Sequence, residues 1–277
     1  MGSTWGYEEG IGAGALFRWI GGFTQISPTE VVVVDGGNDC LRNVNRITLQ
    51  TEQLVGQCES SGYADGVGNN SRFNSLYYVI KDLMSSNHLI VTDQDNNGNA
   101  VLRSVDLVTL NVTLFAPIPN DTTYINGITQ QEDSGNFFVA VSYEWGGVGG
   151  GTIMMLNYAS KALTYITQKE MPCGLNDGPL LEAEFCSLRA LIFLDSDVLL
   201  TTDWMNGRVR ALDLKKNKTS SICFGLCDKL RYSDYDFMDS AAVVDDTLYI
   251  GTYTSLLAVK GECANGIYKS CLYVYTF

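Results

Sequence analysis

The chain has 277 residues, 45% of them hydrophobic, with 31 acidic against 18 basic side chains and a formal net charge of −13. That sign excludes nucleic acid and anionic membrane surfaces as partners, because both attract basic proteins. Cations and basic proteins stay open, and no apolar run approaches the roughly 18 residues needed to insert across a membrane.

Met1-Gly2-Ser3-Thr4-Trp5 has neither the basic nor the apolar stretch of a signal peptide and resembles a cloning remnant ahead of a mature fragment. A phrase follows, Gly6-Tyr7-x-Glu9-Gly10-x-Gly12-x-x-Ala15-x-Phe17. It returns as Gly62-Tyr63-x-Asp65-Gly66-x-Gly68-x-x-Ser71-x-Phe73, and again as Gly174-Leu175-x-Asp177-Gly178 running to Ala183-x-Phe185. The closing phenylalanines lie 56 and 112 residues apart. A period of about 55 residues marks an array of like units, with boundaries near 6–61, 62–117, 118–172, 173–227 and 228–277, in one domain over 1–277.

Within each unit the apolar stretches are short and β-like, separated by turn residues roughly every ten positions. The first unit predicts strands at Gly22–Ile26, Glu30–Val34, Cys40–Arg46 and Glu52–Val55; the second at Leu76–Ile80, His88–Thr92, Ala100–Val105 and Val112–Phe115. The third predicts Tyr124–Thr129, Phe137–Val141, Thr152–Leu156 and Leu163–Thr167. The fourth predicts Arg189–Leu194, Val198–Thr202, Arg208–Leu212 and Ser220–Cys223, and the fifth Ser240–Val244, Thr247–Gly251, Leu256–Val259 and Cys271–Phe277. Four antiparallel strands per repeat, set end to end, predict an all-β chain folded as a β-propeller. Five units use the whole length, so five blades are expected; the alternative is a ring of six, with one blade assembled from terminal segments or supplied by a partner.

Eight cysteines and four glycosylation sequons, at Asn69, Asn111, Asn120 and Asn217, point to an oxidising compartment: a secreted protein or the extracellular part of a membrane protein. Proximity suggests the pairs Cys40–Cys58, Cys173–Cys186, Cys223–Cys227 and Cys263–Cys271. Asn111 and Asn217 fall at comparable hairpin tips, where a glycan is tolerated.

A second set of equivalent residues is polar. Asp35, Asp93 and Asp203 each end the second strand of a unit, and Arg42, Arg103 and Arg210 each lie in the third. With the glycine-rich phrase, these residues resemble the NHL-repeat family of β-propellers, most clearly in Val33-Val34-Asp35-Gly36-Gly37-Asn38-Asp39-Cys40-Leu41-Arg42. The resemblance covers 6–58, 62–115 and 174–223. The third unit departs from it with Ser142 and Met155 at the Asp and Arg positions, and the fifth with Thr252 and Val259. It implies a fold and not one activity, since such propellers bind protein, RNA or peptide and occasionally catalyse. The Asp and Arg positions read as structural, because a charge repeated in every well-formed unit ties strand ends together, whereas a catalytic group is needed once. The glycines read as sharp connections between blades.

Candidate chemistry is sparse. Asp93-x-Asp95-x-Asn97-Gly98 matches the first half of a calcium loop, but Ser104 stands where the bidentate Glu belongs, and Asn-Gly is also a favoured hairpin turn. His88, the one histidine, reads as a strand-start residue, and no Gly-x-Ser-x-Gly elbow exists for it to serve. The amidating lyases among such propellers bind zinc through several histidines, which this chain cannot supply. Lactonase-like propellers hold a channel calcium, for which Glu30, Asn126, Asp195 and Asp239 are the residues available here, though no spacing singles them out. Binding is better signalled by aromatic loops in the divergent units: Tyr143 and Trp145 ahead of a glycine run, Tyr232 and Tyr235 in place of the fifth phrase, and Trp204 directly after Asp203. The expectation is a non-catalytic extracellular module for a protein or glycan partner, without cofactor; the alternative is a calcium-dependent hydrolase or lactonase acting in the central channel.

Overall fold

The computed structural model describes residues 5–119, 124–142, 150–169, 173–222, 238–244, 247–252, 255–260 and 272–276. Their strands form five antiparallel sheets in chain order. The first holds β1 (Gly10–Ile11), β2 (Ile20–Gln25), β3 (Glu30–Asp35), β4 (Cys40–Asn45) and β5 (Gln50–Val55), and the second β6 (Gly66–Val67), β7 (Val79–Lys81), β8 (His88–Gln94), β9 (Ala100–Asp106) and β10 (Asn111–Pro117). The third holds β11 (Tyr124–Gln130), β12 (Phe137–Ser142), β13 (Gly151–Leu156) and β14 (Leu163–Tyr165), and the fourth β15 (Leu188–Phe193), β16 (Val198–Asp203), β17 (Arg208–Asp213) and β18 (Lys218–Ile222). The fifth holds β19 (Met238–Val244), β20 (Thr247–Thr252), β21 (Ser255–Lys260) and β22 (Leu272–Thr276). Every predicted strand is present, shifted by three residues at most. Contacts divide the chain into two compact units, residues 1–125 and 126–277.

Burial explains the apolar runs. Val32 and Val34 of β3, Leu89 and Val91 of β8, and Phe73 and Leu76 all sit in one core of the first unit, so a sheet and the lead-in to the next share a single apolar layer. In the second unit Phe138, Ala140 and Ile153 meet Phe185, Leu188 and Leu199 in the same way. The hairpin from third to fourth strand is built alike four times. Asn45, Asp106, Asn157 and Asp213 accept backbone N–H bonds inside the turn. Four residues later Leu49, Leu110, Lys161 and Asn217 take the left-handed backbone, with φ between 51° and 61°. Asn217 suits that conformation best, and its side chain is exposed.

The glycine-rich phrase does more than connect blades. In the first two repeats it supplies an extra edge strand, β1 on β5 and β6 on β10, and in the fourth a single bridge from Gly178 to Thr219. Gly12 and Gly68, at φ 56° and 58°, donate N–H bonds to the left-handed Leu49 and Leu110 carbonyls at 3.0 and 2.9 Å.

The phrase also builds a cage around the repeated arginine. Arg42 lies between the Tyr7 and Phe17 rings at 4.9 and 4.6 Å, and Arg103 between Tyr63 and Phe73 at 4.7 and 4.9 Å. Arg210 has Phe185 at 4.7 Å, with Leu175 at the tyrosine position of the phrase. Each guanidinium pairs with the aspartate ending the second strand: Asp35 at 3.2 Å, Asp93 at 3.0 Å and Asp203 at 2.7 Å, all fully buried. The phrase carboxylates Asp65 and Asp177 add a second pair to Arg103 and Arg210, both at 2.8 Å. They also accept the outer-strand N–H of Leu114 and Ser221, as Glu9 does for Gln53. Capping those edge donors leaves fewer free for pairing with another chain.

Two of the expected disulfides are present, Cys40–Cys58 and Cys173–Cys186. Each fastens the segment preceding a phrase. The expected pairs Cys223–Cys227 and Cys263–Cys271 lie outside the described residues.

Candidate functional site

The polar residues most visible in the sequence belong to the scaffold. Asp93 accepts the Asn74 and Ser75 N–H groups on Oδ1 and Arg103 on Oδ2. Asp203 likewise accepts Cys186 N–H, Asn206 Nδ2 and Arg210. Burial raises the pKa of both carboxyls, and the N–H donors and the paired arginine oppose it without cancelling it.

The half calcium loop is a turn. Asp95 Oδ1 accepts the Asn97 and Asn99 backbone N–H groups and its Oδ2 accepts Asn99 Nδ2, bonds that hold its carboxyl below the usual pKa. With Asp93 bound to Arg103, both carboxylates already have protein donors, so the residues do not fit a calcium site. His88 opens β8 and its Nδ1 bonds the Ser85 hydroxyl at 2.7 Å, as a strand-start residue would. Of the proposed channel-calcium residues, Glu30 begins β3 and Asp195 binds the N–H groups of Asp197 and Val198 before β16. Each lies at the end of its sheet opposite to Asp35 or Asp203. Among the described residues, no group of three His, Cys, Asp or Glu gathers as for a metal.

Of the expected aromatic anchors, Trp204 is described; Tyr143, Trp145, Tyr232 and Tyr235 lie outside the described residues, as does the sequon at Asn120. Trp204 stands in the turn from β16 to β17, its N–H bonded to the Ser187 carbonyl at 3.0 Å. Its ring is half-buried and lies 4.9 Å from the Arg189 guanidinium. In the sequence Tyr143 directly follows Ser142 as Trp204 follows Asp203.

Arg189, Trp19 and Tyr77 were not picked out by the sequence. They sit at or just before the first long strand of their repeats, where the ladder is irregular. The β2–β3 register shifts between Ile20 and Phe23, β15–β16 between Leu188 and Leu191, and β19–β20 between Met238 and Ser240. In the second sheet Tyr78 bonds the Thr92 hydroxyl just as Ala190 bonds that of Thr202. Gly21, Tyr77, Arg189 and Asp239 are therefore equivalents: four side-chain chemistries at one backbone position. Bulges at such places re-aim side chains toward a site. Gly21 is glycine because a Cβ there would collide with the Tyr77 carbonyl oxygen, which accepts the Gly22 N–H at 2.6 Å. Gly127 meets the Arg189 carbonyl oxygen in the same manner. In the first unit Trp19 packs edge-to-face on Tyr77 at 5.0 Å and remains 45% exposed, which leaves a ring face open to solvent beside these strand starts.

Asp39, in the turn after Asp35, takes the left-handed backbone at φ 55°. Its half-buried carboxyl is pushed up to about 6, by burial first and then by Asp93.

No protein-family model and no curated protein sequence matches the chain. Among solved structures, a streptogramin B lyase is similar with a TM-score of 0.56 at 12% identity, over 93% of this chain and 68% of the other. A luciferin-regenerating enzyme is similar with a TM-score of 0.62 at 10% identity, over 94% and 76%. At these identities the likeness establishes the fold alone: an all-β propeller whose blades are built on four antiparallel strands.

Proposed function

We propose that the chain is a five-bladed, NHL-type propeller acting as an extracellular, non-catalytic recognition module for a protein or glycan partner. The face it uses is the end of each sheet where the second strand turns into the third. One observation carries this reading. The Asp–Arg pairs are spent on the scaffold in all three well-formed repeats, while the bulge position and the following turn vary freely and bear Tyr77, Arg189 and Trp204. Rigid frames with variable, aromatic-rich ends are the usual layout of a binding scaffold. The two disulfides and the exposed Asn217 sequon support an oxidising, glycosylating compartment.

Affinity capture from extracellular fluid on wild-type protein, beside protein carrying Trp204→Ala, identifies the partner. A species retained by the first and lost from the second is expected; equal retention by both overturns the assignment of the face. The structural neighbours carry enzyme names, so a catalytic role is the second reading; the form the sequence suggests is calcium-dependent hydrolysis of an ester or lactone in the channel. Calcium-dependent turnover of such substrates would establish it.

A further inference from the structure

We infer that Arg189, stacked on Trp204, is an open carboxylate receptor, and that its ligand is an acidic sugar. The inference rests on the recognition reading above and narrows it to a ligand class.

Among the described residues, four arginines have guanidinium groups held against an aromatic ring, and three of them have both terminal nitrogens committed: Arg42, Arg103 and Arg210 each donate to a buried aspartate and to backbone carbonyls. Arg189 differs. Among the described residues it makes no ion pair and its terminal nitrogens donate no hydrogen bond; its Nε is buried without a partner, as in the other three. The two terminal nitrogens are not enclosed with it, so the outer fork of the guanidinium is presented to solvent. That isolation stands out in a chain with 31 acidic residues.

Stacking at 4.9 Å on Trp204 holds the plane of the guanidinium, and the bulge between Leu188 and Leu191 sets its direction. A planar fork, held in place and left unpaired, matches a carboxylate in two parallel hydrogen bonds. Because the orientation is set before the ligand arrives, less side-chain entropy is lost on binding. The ligand must deliver a carboxylate against an overall charge of −13, so a small anion with one charge suits the site better than an acidic polypeptide. A sugar acid adds a ring whose C–H face can lie on an indole such as that of Trp204, and hydroxyls for the polar turn around Asn206. It thereby answers both groups of the pair.

The test uses glucuronate and glucose, which share a ring and differ at the carboxylate, titrated against the intact protein with tryptophan fluorescence and calorimetry as readouts. Glucuronate is expected to saturate and to bind at least tenfold more tightly than glucose. Arg189→Gln is expected to abolish that preference, and Arg189→Lys to restore part of it, since lysine keeps the charge but not the fork. Melting curves for each variant guard against a folding defect, and a carboxylate preference that survives Arg189→Gln in folded protein overturns the proposal. So does equal binding of the two sugars, or no saturable binding of glucuronate. If the partner captured by wild-type protein is still captured by Arg189→Gln, recognition by this face stands and the acidic-sugar assignment falls.

Discussion

Replacing Arg103 by Met tests the cage most sharply. The substitution keeps an unbranched chain between Tyr63 and Phe73 but removes the charge that faces Asp93, whose side chain is fully buried. Asp93 would keep the Asn74 and Ser75 N–H bonds, the carbonyls of Ala64 and Arg72 would lose a donor, and an unpaired carboxylate would remain in the core. Breaking one side of a buried pair costs about 3–5 kcal/mol, which lowers the melting temperature of a chain this size by about 10 °C. The loss depends on pH. Burial already raises the Asp93 pKa, and removing Arg103 raises it further, so the folded variant binds a proton that the unfolded chain releases. The deficit is therefore largest at pH 7.5 and shrinks as the pH falls toward 4. The double variant Asp93→Asn, Arg103→Met should recover much of the loss at pH 7.5. Thermal melts by circular dichroism at both pH values read all of this. A drop under 3 °C for Arg103→Met, or a deficit that does not change with pH, would refute the structural role given to the pair.

Other substitutions give outcomes of similar clarity. Gly21→Ala drives a Cβ into the Tyr77 carbonyl oxygen and should cost about 2 kcal/mol or more. Gly14→Ala, with open space around it, should stay within about 0.5 kcal/mol, and denaturant titration separates the two. Asp39→Asn should stabilise the protein at pH 7.5 by about 1 kcal/mol, a figure reduced because the carboxyl is half exposed to water. With the folded pKa at about 6 and the ordinary value at 3.8, the wild type is penalised as pH rises through that window, so the two proteins should melt together at pH 4. Replacing Cys40 and Cys58 by Ala opens a link across 18 residues and should cost about 2–4 kcal/mol by calorimetry.

The fold was largely legible in the sequence because its signals are local and repeated. Short apolar strands, Asx-led hairpins and a phrase recurring at Phe17, Phe73 and Phe185 each report on one repeat at a time. The roles of Asp35 and Arg42 could be read for the same reason. What the phrase does with them was less visible. That Tyr63 and Phe73 face each other across Arg103, or that Asp65 caps Leu114 while pairing with that arginine, depends on contacts some 30 to 50 residues apart. The glycines read as sharp connections between blades, and two of the three phrases are edge strands as well. Arg189 escaped notice because nothing repeats at its position: Gly21, Tyr77 and Asp239 share its backbone setting and none of its chemistry. The bulge that makes these residues equivalent leaves no trace in an apolar pattern. Variation on a fixed frame became readable only once the registers were known.

We propose that the ends of the sheets, and not the buried Asp–Arg pairs, carry recognition. This is tested most directly by measuring, with surface plasmon resonance, the affinity of the captured partner for wild-type protein and for protein with Tyr143, Trp145 and Trp204 changed to alanine, each verified as folded. Recognition at this face predicts a loss of at least tenfold in the variant. An unchanged affinity would contradict it.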